Sequence, residues 1–361
     1  MKLMTVLGTR PEIIRLSIII GKLDKHCEHI LVHTGQNFEE KLNQVFFSDL
    51  KVREPDYHLG IKADSFAEQV GKIFVGTEKL ILKEKPDRVL ILGDTNSGLS
   101  SIIFRRMGIP VFHLEAGNRC YDDRVPEEIN RRIIDHSSTV LLPYTHKSKE
   151  NLLAEGIPGE AIHVIGNPIY EVICHYAKQI EKSRMLNGLD LQPQRYFLVT
   201  AHRAENVDDK ERLNNLLRAL DAINKKYHLP VICSLHPRTK SKMKQFGLKV
   251  SNKAIRLLEP FGFFDFISLE KQARCVITDS GTVQEECCIL KVPNITIRDV
   301  TERPETLECG SNILTGVVPA MIMKALEIVL AKQPEWEPPA EYLVKNVSSG
   351  VVKIVLGYIN Q

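Results

Sequence analysis

Several features are scarce in this chain. Net charge is only +3 at pH 7 over 361 residues. A balance so near zero gives no electrostatic footprint for nucleic acid or an anionic membrane surface. No basic run and no basic–aromatic interleaving occurs. Long hydrophobic runs are missing too. Ile18-Ile19-Ile20 is far too short to span a bilayer. The chain opens on a strand-like run, Leu3–Leu7, not on a charged segment followed by an apolar signal stretch. Eight cysteines are scattered without a C-x-x-C pair, and Cys287-Cys288 is adjacent, a poor geometry for a disulfide. Reduced, buried thiols in a cytoplasmic protein are expected. No G-x-G-x-x-G follows the first strand, which disfavours tightly held nicotinamide or flavin. No Walker A is present, and the histidines lack metal-ligand spacing. No cofactor and no metal is expected.

The rest of the composition is that of an ordinary globular protein, 43% hydrophobic and 26% charged. The length suggests two domains. Short β-branched runs alternate with longer amphipathic stretches. Strands are expected at Leu3–Leu7, Ile30–His33, Arg88–Leu92, Val111–Leu114, Val140–Leu142, Tyr196–Thr200, Val231–Leu235, Ile255–Leu257, Cys275–Thr278 and Asn294–Ile297. Helices are expected at Phe66–Lys83, Asp208–Tyr227, Ala320–Ala331 after Pro319, and Leu343–Tyr358. The alternation predicts an α/β chain with parallel sheets covered on both faces. So many strands fit two Rossmann-like domains better than one sheet. Residues 1–167 form the expected first domain, completed by a C-terminal helix over 343–361, and 168–342 the second. The break falls near Gly166-Asn167-Pro168 or in the polar stretch Lys182–Arg195.

Ligands of open α/β sheets sit beyond the C-terminal ends of the strands. Polar clusters follow six of the expected strands: Gly8–Glu12, Gly93–Ser97, His113–Arg119, Thr200–Asn206, His236–Arg238 and Thr278–Glu286. The last holds a buried-strand signal, a Ser-Gly turn, a helix start and two carboxylates. A helix start exposes unpaired amides and the positive end of its dipole, which suits phosphate. Glu286 lies about one helical turn beyond Ser280–Thr282 and can accept from ligand hydroxyls. Phosphate plus sugar hydroxyls suggests a sugar nucleotide. The first half supplies carboxylates, Asp94, Glu115 and Glu127, and cations, Arg10, Arg15 and Arg131. The second supplies His202, Arg203, His236, Ser280 and Glu286. Cations suit a diphosphate, and several carboxylates suit proton removal and delivery on opposed faces. Structural roles compete at each point. Asp94-Thr95 can simply cap a helix. Glu127-Glu128 after Pro126 can be first-turn acids. His236 before Pro237 can be structural. Asp122-Asp123 suits a surface loop, and Arg105-Arg106 a solvated face.

Gly8-Thr9-Arg10-Pro11-Glu12, Gly93-Asp94-Thr95, His113-Leu114-Glu115-Ala116-Gly117, Pro126-Glu127-Glu128-Ile129-Asn130-Arg131, Thr200-Ala201-His202-Arg203, Asp279-Ser280-Gly281 and Arg298–Glu305 occur in that order. The set resembles the UDP-N-acetylglucosamine 2-epimerase family, from residue 3 to about 316. The resemblance implies two Rossmann-like domains in a GT-B arrangement, an active-site cleft between them, a homodimer, and no nucleic-acid or membrane partner. It implies inversion at C2 of a UDP-2-acetamido sugar without nicotinamide or metal. UDP is eliminated to give a 2-acetamidoglycal and is then added back with the C2 proton on the other face. Departure of UDP makes C1 cationic, and that cation acidifies C2–H. Carried over by position, Asp94, Glu115 and Glu127 match carboxylates of proton transfer, and His202 a histidine near the leaving group. Arg10, Ser280, Gly281 and Glu286 match UDP contacts, and Arg131 a basic site residue.

Some positions depart from the family pattern. Many N-acetylglucosamine enzymes have Lys where Arg15 stands, Gly where Thr282 stands, and Gln-His-Arg-Glu where this chain has Gln36-Asn37-Phe38-Glu39. In bacterial members that segment helps form an allosteric UDP-sugar site. The runs Pro11–Ser17 and Gly117–Cys120 are more similar to the branch making UDP-N-acetyl-L-fucosamine. That branch inverts C2 of UDP-N-acetyl-L-pneumosamine for capsule or O-antigen. This substrate is the first expectation, and the N-acetylglucosamine/N-acetylmannosamine pair the second. A GT-B glycosyltransferase shares the fold, but it needs no carboxylate set such as Asp94, Glu115 and Glu127. A hydrolysing epimerase and a non-catalytic sugar-nucleotide sensor are the remaining alternatives, and the intact carboxylates disfavour the sensor.

Overall fold

The computed structural model describes residues 1–36 and 46–357. Two compact units emerge, one from Met1–His175 with Ala340–Gln361, the other from Tyr176–Pro339. In the first unit lie β1 (Lys2–Leu7), β2 (Glu28–His33), β3 (Tyr57–His58), β4 (Arg88–Leu92), β5 (Val111–Leu114) and β6 (Val140–Leu142). The second holds β7 (Phe197–Thr200), β8 (Val231–Ser234), β9 (Ile255–Leu258), β10 (Cys275–Thr278), β11 (Asn294–Thr296) and β12 (Asn312–Leu314).

Each unit has one six-stranded sheet, in the orders β3-β2-β1-β4-β5-β6 and β12-β11-β10-β7-β8-β9. Every strand pair is parallel. Numbered within its own unit, each sheet reads 3-2-1-4-5-6, the doubly wound Rossmann order. The strands form because their aliphatic side chains are buried on both faces. Phe197 and Val199 join one apolar cluster, with Leu216, Leu220 and Ile322. Tyr196 and Leu198 join another on the opposite side, with Leu269, Val283 and Cys287. That split follows the period of two along a strand.

The ten expected strands are present, with ends that differ by no more than two residues. Two edge strands have no signal in the sequence. β3 is two residues long, and β12 is three residues following Gly310-Ser311. Neither is long enough to show alternation.

The unit boundaries differ from the expected ones. The first unit runs on to His175 because the Pro168–His175 helix buries Ile169, Val172 and Ile173 in that unit. Its Glu171 carboxylate accepts from the Ser348 amide at 2.7 Å. The returning chain is met at Gly166, whose φ is +85° and where a Cβ would lie 2.7 Å from Val344. The expected helix over Leu343–Tyr358 is shorter, Val347–Leu356 after a 3-10 turn at Ala340–Leu343. Tyr358 is outside the described residues. Arg88 closes that helix: Nη1 donates to the carbonyls of Val355 and Gly357, both at 2.5 Å.

Candidate active site

Both sheets reverse their strand order between two neighbours, β1/β4 in one unit and β7/β10 in the other. Connections leave such a point in opposite directions and open a crevice there. Four of the six polar clusters follow these four strands.

In the first unit one buried carboxylate ties the two turns together. Glu12, in the first turn of the Arg10–His26 helix, is 2% exposed. Its Oε2 accepts from the amides of Gly8 and Thr9, both at 2.7 Å. Its Oε1 accepts from the Thr95 hydroxyl at 2.8 Å, beside Asp94. Burial pushes Glu12 up to about 7, against the lowering effect of these hydrogen bonds. A raised carboxyl pKa means that the folded chain holds this proton more tightly than the unfolded chain. The associated stability is full below the ordinary carboxyl value and is lost as pH rises through about 7. Urea unfolding of wild type and Glu12→Gln at pH 5 and pH 8 should show it. The stability difference between them should shift toward the variant at pH 8, and a difference independent of pH would refute the assignment.

Asp94 follows Gly93 at the end of β4. Its Oδ2 accepts from Arg131 Nε at 2.8 Å, and its backbone carbonyl accepts from Asn130 Nδ2 at 3.0 Å. Arg131 is buried, and its Nη1 donates to Glu128 Oε2 at 2.5 Å. Glu128 is fully buried and accepts the amides of Cys120 and Tyr121, each at 3.0 Å. Burial raises its pKa, but the Cys120 amide, Arg131 and the Tyr121 amide outweigh that, and the net direction is down. Glu128 therefore holds the loop after β5 onto the Pro126–His136 helix. Glu127 is half-buried on the same turn. Successive helical residues point about 100° apart, so the two carboxylates have different surroundings.

Glu115 follows β5 with φ at +66°, a conformation that a non-glycine residue adopts at a cost. Its amide donates to the Leu142 carbonyl at 3.1 Å. Its Oε2 accepts from Arg15 Nη1 at 2.6 Å and from the Tyr144 hydroxyl at 3.4 Å. The Arg15 guanidinium lies 5.6 Å from the Tyr144 ring centroid. A Cβ on Gly93 would lie 3.7 Å from Glu115 Oε2, so the carboxylate borders the turn that carries Asp94. His113 braces this turn from below. Its Nε2 is 2.9 Å from the Gly93 carbonyl and its Nδ1 is 2.8 Å from Asp135. At Gly117, φ is +80° and a Cβ would lie 2.2 Å from the Ser148 carbonyl, so only glycine fits.

In the second unit the organising group is Asp279, fully buried after β10. Its Oδ2 accepts from the amides of His202 and Arg203, both at 2.9 Å, and from Asn206 Nδ2 at 3.2 Å. His202 Nδ1 lies 3.3 Å from Asp279 Oδ1, and the His202 ring is 5.5 Å from that of His236. His236 caps the Pro237–Phe246 helix: its Nδ1 accepts from the Arg238 amide at 3.2 Å. Ser280 is the N-cap of the Gly281–Leu290 helix, and its hydroxyl makes no cap hydrogen bond. Glu286 is buried in the second turn. A Cβ on Gly281 would lie 2.7 Å from Glu302 Oε1. Glu302 in turn accepts from Arg298 Nη1 at 2.7 Å, and Arg203 Nη2 is 3.6 Å away. Cationic side chains thus line the same helix start that presents the open amides.

The comparisons with known proteins bear on this arrangement. The family described as UDP-N-acetylglucosamine 2-epimerase matches residues 21–356. That span is nearly the whole chain. This chain is a member of the UDP-N-acetylglucosamine 2-epimerase family. It is 46% identical to the Methanocaldococcus jannaschii UDP-N-acetylglucosamine 2-epimerase, covering 94% of this chain and 95% of that protein. It is 35% identical to the Pseudomonas aeruginosa UDP-2,3-diacetamido-2,3-dideoxy-D-glucuronate 2-epimerase, covering 92% and 93%. The solved structure of the M. jannaschii enzyme with UDP-GlcNAc and UDP superposes with a TM-score of 0.94 at 44% identity, covering 98% of this chain and 99% of that one. The chain is therefore an isomerase with the two parallel-sheet α/β units of that GT-B-like fold. Among its described residues no helix is long and apolar enough to cross a membrane.

In the epimerase, several residues expected to meet ligand directly have protein partners. Arg15 is buried against Glu115, and Arg131 against Asp94 and Glu128. Arg10 starts its helix 5.8 Å from the Phe46 ring centroid. Of the segment that departs from the bacterial allosteric pattern, Gln36 accepts from the Ser97 amide at 3.1 Å, and Asn37-Phe38-Glu39 lie outside the described residues. Four structurally central residues carried no assignment from the sequence: Glu12, Tyr144, Asp279 and Glu302. Glu12 had a signal, since Thr9-x-x-Glu12 is a capping-box pattern. Tyr144 had none. The cysteines correct the expectation of buried thiols: all are free, Cys233, Cys275, Cys287 and Cys288 are buried, Cys27, Cys120 and Cys309 are half-buried, and Cys174 is exposed.

Proposed function

We propose that the epimerase inverts C2 of a UDP-2-acetamido sugar by eliminating and re-adding UDP. A carboxylate takes the C2 proton as the C1–O bond breaks and UDP leaves. In the return step another group delivers a proton to the opposite face, and the diphosphate oxygen re-forms the bond at C1. The observation that carries this reading is the pairing of Asp94 and Glu115 around one turn, each held by its own buried arginine. A buried guanidinium beside each acid fixes where its carboxylate points. Asp94, Glu115 and Glu127 are the proton-transfer set. Arg15 and Arg131 act by orienting Glu115 and Asp94. Ser280, Gly281 and Glu286 take UDP, with Arg10, Arg203 and His236 as further ligand contacts. His202, held by Asp279, stands near the leaving group.

N-acetylglucosamine is the favoured sugar, because the M. jannaschii relative bears that name at 46% identity. The P. aeruginosa relative is named for a different 2-acetamido sugar. A second reading is therefore kept: UDP-N-acetyl-L-pneumosamine, to make UDP-N-acetyl-L-fucosamine for capsule or O-antigen. Arg15 and the Gly117–Cys120 run favour it. A cytoplasmic homodimer is part of either reading.

Proton NMR in deuterium oxide, with each sugar nucleotide separately and no added cofactor, tests both. Interconversion of UDP-N-acetylglucosamine with deuterium at C2 is the expected result. Deuterated UDP-N-acetyl-L-fucosamine from the second tube alone reassigns the substrate. Free UDP without an epimer, or no reaction in either tube, refutes the proposal. Glu286→Ala should weaken UDP by on the order of tenfold or more, because it removes a charged hydrogen-bond acceptor. Unchanged affinity in a UDP titration would remove Glu286 from the site.

A further inference from the structure

We propose that Cys288 and Cys309 are a thiol pair that closes to a reversible intrachain disulfide. Their sulfurs lie 3.7 Å apart. A disulfide needs about 2.05 Å, an approach that side-chain rotation and a small helix shift can supply. The two thiols stand in unequal surroundings. Cys288 is buried in the Gly281–Leu290 helix, whereas Cys309 is half-buried at the end of the Pro304–Glu308 helix and can be reached from solvent. The contact with Cys288 holds the Cys309 thiol below the usual thiol range, with help from Ser311 and against burial. The same contact, together with burial, pushes Cys288 up. As the less buried of the two, Cys309 is the attacking thiolate and Cys288 the resolving thiol. Neighbouring Cys287 is engaged elsewhere, 3.0 Å from Glu270.

The oxidant is a peroxide. The Cys309 thiolate attacks one peroxide oxygen, the O–O bond breaks, and the departing hydroxide takes up a proton as water. The resulting sulfenic acid is attacked by Cys288 sulfur. The S–O bond breaks, and the leaving hydroxide takes the Cys288 proton as a second water. Two thiols lose two electrons and two protons, and peroxide becomes two waters.

The bond would join two elements on either side of the Arg298–Arg303 segment. Gln284 holds Thr301 at 2.7 Å, and Glu285 holds Arg303, so the helix and this segment move together. Drawing Cys288 toward Cys309 shifts the helix half that carries Glu286. The consequence for UDP rests on the reading of Glu286 given above.

The full chain is treated with hydrogen peroxide, quenched and digested without reductant. The expected product is one linked peptide pair from a monomer, about 2 Da lighter than the two thiol peptides and separated by dithiothreitol. In Cys288→Ser, dimedone should trap Cys309 as the sulfenic acid. In Cys309→Ser, the linked pair should vanish while Cys288 stays reduced. Intact thiols at both positions at a dose that oxidises exposed Cys174, or linkage of either to another cysteine, overturns the proposal. UDP should bind the oxidised chain on the order of tenfold more weakly. If the linked pair forms and affinity holds, the disulfide stands and its coupling to Glu286 falls.

Discussion

Glu115→Gln should lower turnover on the order of 10²–10⁴-fold, the span typical of a proton-transfer group. The physical reason is the loss of a base without the loss of shape. Glutamine keeps the volume and one carbonyl oxygen for Arg15 and Tyr144, but it cannot carry away a proton. The C2–H bond of an acetamido sugar is hardly acidic, so a competent base must stand beside it when C1 becomes cationic. UDP affinity should stay nearly constant, because Ser280, Gly281 and Glu286 belong to a different switch point, after β10. Steady-state turnover and a UDP titration of the same preparation separate the two effects. Equal losses of rate and affinity would show that Glu115 binds rather than reacts.

Adjacent carboxylates should behave oppositely at 127 and 128. Glu128→Ala deletes the buried partner of Arg131 and the acceptor of two loop amides. Breaking a buried ion pair from one side costs up to about 3–5 kcal/mol, although Arg131 here keeps Asp94. The thermal midpoint should fall by on the order of 10 °C. Glu127→Ala removes a half-buried side chain and should change stability by no more than about 0.5 kcal/mol. Its turnover should nonetheless collapse, because Glu127 is one of the three proton-transfer candidates. Thermal unfolding followed by circular dichroism, with the deuterium-exchange assay in parallel, measures both variants. An active Glu127→Ala, or a Glu128→Ala chain that melts with wild type, would reverse these roles.

Turnover of the two variants also separates the chemical role of Glu127 from the structural role of Glu128. Folded Glu128→Ala should retain part of its activity at low temperature, where the loop after β5 is still in place. Its Arg131 has lost the Glu128 anchor and holds Asp94 less firmly.

Much of the architecture was readable along the chain. A parallel strand buried on both faces must be a short aliphatic run, and such runs stand out along the chain. β4, β5, β6 and β10 were therefore located to the residue. β3 escaped because two residues carry no period. The domain boundary escaped because Pro168–His175 has the same amphipathic pattern whichever unit it covers. Which surface it covers depends on Val347–Leu356, more than 170 positions away in the chain.

The candidate site was legible as a set of strand ends, and much less so as a set of partners. Chemistry-bearing residues cluster after β1, β4, β7 and β10 because the crevice of an open α/β sheet lies beyond the C-terminal ends of its strands at the switch point. Those clusters, and the family they belong to, are properties of the sequence by itself. The pairings are not. Arg15 and Glu115 are separated by 100 positions and Asp94 and Arg131 by 37, and no local pattern announces either contact. Glu127 and Glu128 are the same residue type on the same turn, and only packing makes one a buried anchor. Cys288 and Cys309 form no motif, yet two helix ends bring their sulfurs to 3.7 Å. Local periodicity determines elements because it acts over a few residues. Ion pairs, burial and thiol reactivity depend on distances through space, which exist only once the sheets are assembled.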